Sequence, residues 1–320
     1  MASLSDMNIV PLLRSRTLRV PTPLAGLALG IAALGLGLDT FFPWPYLTQT
    51  LGALVAAILF VCVALKLVLN PSVFLSEMEH SVMSGIMPVL AMTLMLVSAA
   101  IGVWLPGVGV LLWIMAVALH LFLLVLFLWQ RVRDFSIAKM TPSWLIPFVG
   151  LILATVTSPS SMFNTLSLGF LVFGTAFSAL LMPAMIYRLV FYELADEAKP
   201  TIAIMVAPAS LILMGYLSVF PEASVFICGI LAGIAFLMTM FVYLALFRLL
   251  RLPFSPAFAA LAFPLVTGGT ALNRLARFMA ERQGAELIGL LGKGTMIVAV
   301  GITVYVSVLY IREYWYRMAS

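Results

Sequence analysis

Apolar runs of about 20 residues or more, separated by short polar clusters, recur along almost the whole chain. That is the length a helix needs to cross roughly 30 Å of hydrocarbon. Such a chain has few folds open to it, because a segment in lipid must satisfy every backbone hydrogen bond within itself or within a closed barrel. The runs are too long for barrel strands, so the fold class is an all-α integral membrane protein. Composition agrees: 64% of the 320 residues are hydrophobic and 9% are charged, against about 45–50% and 25% in a soluble domain.

Ten helices are predicted, over about 20–39, 48–69, 81–104, 108–130, 143–159, 164–191, 201–220, 223–250, 256–279 and 289–311. Their connections alternate in charge. The loops at Leu38 to Pro45, Trp104 to Gly107, Ser158 to Ser161 and Phe220 to Glu222 hold no lysine or arginine. With the N-terminus in the cytoplasm, only Arg274, Arg277, Arg282 and Lys293 of the 17 basic residues lie outside. The excess of basic residues on one side therefore predicts that both termini are cytoplasmic. Residues 1–19 form a polar, arginine-bearing cytoplasmic segment, 20–312 the transmembrane domain and 313–320 a cytoplasmic tail. The first run is longer than a signal-peptide core and is followed by nine more, so it is expected to remain uncleaved. The net charge of +5 is a topology signal, and no basic cluster interleaved with aromatics suggests nucleic acid as a partner.

Each odd-numbered helix carries a proline: Pro23, Pro88, Pro147, Pro208 and Pro264, at intervals of about 60 residues. That interval is one helical hairpin, so the chain reads as five repeated hairpins. An interior proline frees a backbone carbonyl that cannot face lipid. The five kinked helices are therefore expected inside, around a central pore, with the even-numbered helices facing lipid. Small and hydroxyl residues near the prolines are the candidate pore lining: Gly26, Ser84, Gly150, Thr155, Ser210 and Thr267. Such hydroxyls can meet a passing solute or bond their own helix backbone.

No Asp, Glu, Lys or Arg lies near the middle of any predicted helix. Coupled carriers usually place an ionisable group there despite its cost, whereas a passive pore needs none. Hydroxyls, backbone N–H groups and basic residues at the cytoplasmic side suit a weakly held anion. His80 is expected at the cytoplasmic mouth, beside Glu77 and Glu79, and His120 is expected to make a structural bond on an outer helix. Cys62 and Cys228 have no metal-ligand spacing. "GKGT" at Gly292 lacks the upstream glycine of a phosphate loop. No catalytic constellation is assembled by sequence pattern, so neither an enzyme nor a cofactor is predicted.

Four segments carry a resemblance: "EMEHSVMSG" from Glu77, "TPSWLIPFVG" from Thr141, "APASLILMGYLSV" from Ala207 and "PFSPAFAALAFPL" from Pro253. In this order they resemble the TehA-like tellurite-resistance/dicarboxylate transporter family, which is related to the plant slow-type anion channels. The likeness runs from about Val20 to about Arg312. It implies ten helices in five hairpins, a homotrimer with one pore per protomer, and a phenylalanine on the ninth helix that plugs the pore. That phenylalanine corresponds to Phe263. The chain departs from the family pattern at Ser81, where a proline often follows the histidine, and in the "TGG" after Pro264. The expected function is an anion channel of the bacterial inner membrane, passing chloride or nitrate between water and water across the lipid. The alternative is a transporter of C4-dicarboxylates or of toxic oxyanions such as tellurite.

Overall fold

A computed structural model describes residues 9–42 and 44–319. The first eight residues of the expected cytoplasmic segment, Pro43 of the first loop and Ser320 of the tail lie outside the described residues. All regular structure among the described residues is helical: α1 (Ile9–Thr17), α2 (Leu24–Leu38), α3 (Leu47–Leu69), α4 (Pro71–Glu79), α5 (Ser81–Ile86), α6 (Val89–Trp104) and α7 (Pro106–Arg133) come first. Then follow α8 (Ile146–Val149), α9 (Leu151–Val156), α10 (Asn164–Phe191), α11 (Ala207–Val219), α12 (Val225–Leu249), α13 (Ala262–Phe278) and α14 (Ala285–Ala319). Short 3-10 segments at Pro142–Leu145, Asp196–Val206 and Pro256–Leu261 lead into α8, α11 and α13.

Seven helical stretches among the described residues are long and apolar enough to cross a membrane: Leu47–Leu69, Ser81–Trp104, Pro106–Arg133, Ser161–Phe191, Asp196–Val219, Val225–Leu249 and Ala285–Tyr314. The apolar α2 is 15 residues long, about 22 Å at 1.5 Å per residue. The fifth predicted helix is likewise cut short, because its regular part runs only from Pro142 to Val156. Two helices were not anticipated. α1 and α4 are short segments at the basic end of the bundle, and α4 begins in the Asn70-Pro71 pair, where proline at the first helical position costs no hydrogen bond.

Consecutive elements pack as pairs: α2 on α3, α6 on α7, α9 on α10, α11 on α12 and α13 on α14. The first member of each pair also touches the first members of its neighbours, α2 with α6, α6 with α9, α9 with α11, α11 with α13, and α13 with α2. This closed circuit of contacts explains the burial pattern. α6, α11 and α13 are buried along most of their length, whereas α3, α7, α10 and α12 expose rows of large apolar side chains such as Leu54, Val125, Leu180 and Leu237. Apolar surface on that scale needs no polar covering when the solvent is lipid.

The prolines act differently from the interior kinks expected of them. Pro23 and Pro88 are the residues just before α2 and α6, Pro147 and Pro208 fall in the first turn of α8 and α11, and Pro264 is the third residue of α13. The first N–H groups of an α-helix have no partner within it, so proline there breaks no bond. Each inner element therefore stops and restarts at its proline, after a turn or a 3-10 segment, where a kinked continuous helix would have lost a bond. Gly150, between α8 and α9, allows a close approach at one such restart: a Cβ there would lie 2.6 Å from His120 Cε1 and 2.7 Å from Met92 Sδ.

Candidate functional site

The five restarts surround one narrow cavity of about 50 Å³. Every inner element contributes to its wall: Gly26 near the start of α2, Met92 of α6, Gly150 after α8, Leu211 of α11 and Phe263 of α13 are examples. No residue of α3, α7, α10, α12 or α14 does. All its lining residues are apolar or glycine. The volume admits only a few water-sized spheres, at roughly 10–15 Å³ each. Phe263 is 6% exposed and stands in this wall beside Pro264.

Pro23, Pro208 and Pro264 also line the cavity, while Pro88 and Pro147 do not. Of the six residues expected to line a pore, Gly26 and Gly150 line this cavity. Ser84, Thr155, Ser210 and Thr267 do not, and their hydroxyls are engaged elsewhere. Ser84 Oγ donates to Ser81 O at 3.4 Å, Thr155 Oγ1 to Ser167 O at 2.9 Å, Ser210 Oγ to Val206 O at 2.8 Å and Thr267 Oγ1 to Pro264 O at 2.8 Å. For Ser84, Ser210 and Thr267 the reason is local, since a carbonyl three or four residues back is the nearest acceptor for the hydroxyl, whereas Thr155 reaches across from α9 to α10. His120, fully buried on α7, serves the same end from outside the ring, with Nε2 2.9 Å from Pro147 O.

At one end the narrow cavity meets a vestibule of about 810 Å³, and Pro23, Ile86 and Ala257 line both. His80 lies in the vestibule wall, at the N-cap of α5, where its Nδ1 accepts from Met83 N–H at 3.4 Å. Ser81, at the departure from the family pattern, donates to Lys139 O at 2.6 Å and so ties α5 to the segment before α8. The charges here are balanced. Lys66, Lys139 and Arg188 line the vestibule together with Glu77, Glu193 and Glu197. Lys66, only 5% exposed, is 2.8 Å from Glu77 Oε1 and donates to Thr22 Oγ1 at 2.8 Å, while Thr22 donates to Glu77 Oε2 at 2.6 Å. This triad joins α3, α4 and the turn before α2. It was not predicted, because Glu77 lies in a helix that the hydropathy pattern did not reveal; the Asn-Pro start and the carboxylate 11 residues after Lys66 were the available signals.

An apolar helical bundle with a central constriction that opens to a polar vestibule has the architecture of channels and transporters. The particular assignment comes from relatives. The profile of the SLAC1 family, described as voltage-dependent anion channels, matches residues 20–311, and the chain belongs to this family. It is also 30% identical over 236 residues to the tellurite resistance protein TehA homolog of Haemophilus influenzae, covering 69% of this chain and 71% of that protein. The resemblance read from the four sequence segments is therefore correct, and the chain is a helical membrane protein of an anion channel and transporter family.

Proposed function

We propose that the protein is a channel for small monovalent anions, chloride and nitrate among them, and that Phe263 is its gate. In this reading the five packed pairs are ten membrane crossings, and the narrow cavity is the closed part of a pore lined by the odd-numbered elements. The observation that carries it is the absence of any polar side chain from the constriction. A dehydrated ion meets no ligand there, so the closed state blocks both by the volume of the phenyl ring and by dewetting. No ionisable group in that wall is available to couple flux to protons or sodium. By family resemblance, the assembly is a homotrimer in the bacterial inner membrane with both termini cytoplasmic.

The name of the Haemophilus influenzae relative supports a second reading, transport of tellurite or another toxic oxyanion, and the wider family adds C4-dicarboxylates. Liposome flux separates the two. Phe263→Ala protein should release chloride under a potassium-diffusion potential, with a rate linear in chloride concentration. Saturable succinate or tellurite uptake that depends on a proton gradient, without chloride release, would favour the carrier.

A further inference from the structure

The far end of the bundle holds a second polar cavity, of about 350 Å³, formed where α2, α6, α9 and α13 end against the start of α3 and α7. Arg274 of α13 and Gln49 of α3 line it, with Ser98, Thr157 and Ser158. No carboxylate lines it. Two features of the donors point to a ligand. The half-buried guanidinium of Arg274 makes one long bond, to Ser218 Oγ at 3.4 Å, and takes part in none of the three ion pairs found among the described residues. A guanidinium has five N–H donors, so most of its capacity is free. Gln49 is 7% exposed and lines the same cavity, yet its amide makes no hydrogen bond with a described residue. Both amide atoms keep access to solvent, so they stay open to a solute in the cavity.

The hydroxyls of the cavity narrow the ligand class. Ser98 Oγ donates to Met95 O at 2.7 Å, Thr157 Oγ1 to Leu153 O at 2.8 Å and Ser158 Oγ to Ser160 O at 3.3 Å. Those three protons are therefore engaged, and the side-chain donors left free are the cationic fork of Arg274, the NH₂ of Gln49 and the hydroxyl of Tyr46. One positive charge without a counter-charge matches one negative charge. The opposite vestibule, where three basic and three acidic side chains face each other, has no such excess.

We infer that Arg274 and Gln49 form an outer binding site for a monovalent anion, a staging point on the side that the charge distribution places outside the cell. The proposal extends the anion-channel reading by locating where an anion first exchanges water for protein donors, and it would hold for a carrier of monovalent anions too. An uncompensated charge at the mouth of a low-dielectric cleft raises the local concentration of counter-ions. The Gln49 amide then supplies directional hydrogen bonds.

The test reads occupancy without relying on conduction. In full-length protein carrying Cys62→Ser, Cys228→Ala and Ser158→Cys, a bimane attached at position 158 reports collisional quenching by iodide at low ionic strength. Acrylamide serves as the neutral control. Arg274→Gln should lower the iodide Stern–Volmer constant by about threefold or more, Gln49→Leu should lower it less, and Arg274→Lys should keep most of it, all with acrylamide quenching unchanged. If Arg274→Gln does not fold, Gln49→Glu, which adds a carboxylate to the same cavity, must lower iodide quenching. An unchanged iodide constant, or an equal fall for iodide and acrylamide, overturns the site. Iodide accumulation that depends on Arg274, combined with a silent Phe263→Ala protein in bilayers, leaves the site standing and removes the channel reading.

Discussion

The behaviour of Phe263 follows from what surrounds it. Its ring packs in an apolar wall with no hydrogen bond to keep it there, so a modest packing energy holds it and truncation widens the path. If the proposed gate holds, Phe263→Ala should raise unitary anion conductance by at least about tenfold in bilayers, since dewetting and steric block would be the barrier. Phe263→Trp should stay closed. The Lys66 and Glu77 pair carries a prediction of a different kind. Lys66 is the more deeply buried partner, so removing Glu77 leaves an uncompensated ammonium, which costs about 3 kcal/mol or more in comparable sites. Glu77→Leu should therefore lower the thermal midpoint in detergent more than Lys66→Met, and the double variant Lys66→Met, Glu77→Leu should recover much of the loss. Equal losses that simply add would show that the pair is screened by water. Hydropathy did not single out Phe263; family resemblance alone assigned it a role, because an isolated phenylalanine in a membrane helix has no distinguishing pattern. Gly26 and Gly150 were legible as small residues beside prolines. The hydroxyls were misleading, since residue type cannot tell whether a Ser or Thr proton turns to a nearby carbonyl, on its own helix or a neighbouring one, or to a pore.

At the scale of elements, the repeated prolines were the strongest sequence signal, and their period led to the paired packing. What the pattern could not convey was the form of the break. Proline is compatible with a kink and with a fresh helix start, and the choice depends on whether the preceding backbone has turned into 3-10 geometry, as it has at Asp196–Val206 and Pro256–Leu261. The short α4 was missed because nine residues of mixed polarity give no membrane-length run. The division into inner and outer elements predicts labelling. Cysteines at Ala91, Ala209 and Ala271, all buried on α6, α11 and α13, should resist a lipid-soluble maleimide, while cysteines at Val125 and Leu237 on α7 and α12 should react readily. The reverse order would break the ring arrangement. His120 belongs to this scale as well, because it joins an outer helix to the restart at Pro147. His120→Leu leaves that carbonyl with one partner fewer and should cost about 1–3 kcal/mol of stability, read as a lower thermal midpoint with the bilayer orientation unchanged.

For the whole molecule, the account is that a bundle with two polar mouths and one apolar waist conducts anions only when the waist opens. The mouths differ in charge. The vestibule is balanced, whereas Arg274 is the one charged residue lining the cavity at the far end. Ion sign should accordingly be set at the mouths, and selection among small anions should be weak and follow ease of dehydration, because the waist offers no ligand. The most direct measurement is the reversal potential of purified Phe263→Ala protein in planar bilayers under a tenfold potassium chloride gradient. The account predicts a reversal potential close to the chloride equilibrium potential, unmoved when a proton gradient is imposed or potassium is replaced by sodium. A reversal potential near the potassium value, one that shifts with the proton gradient, or the absence of current from well-folded protein would contradict it.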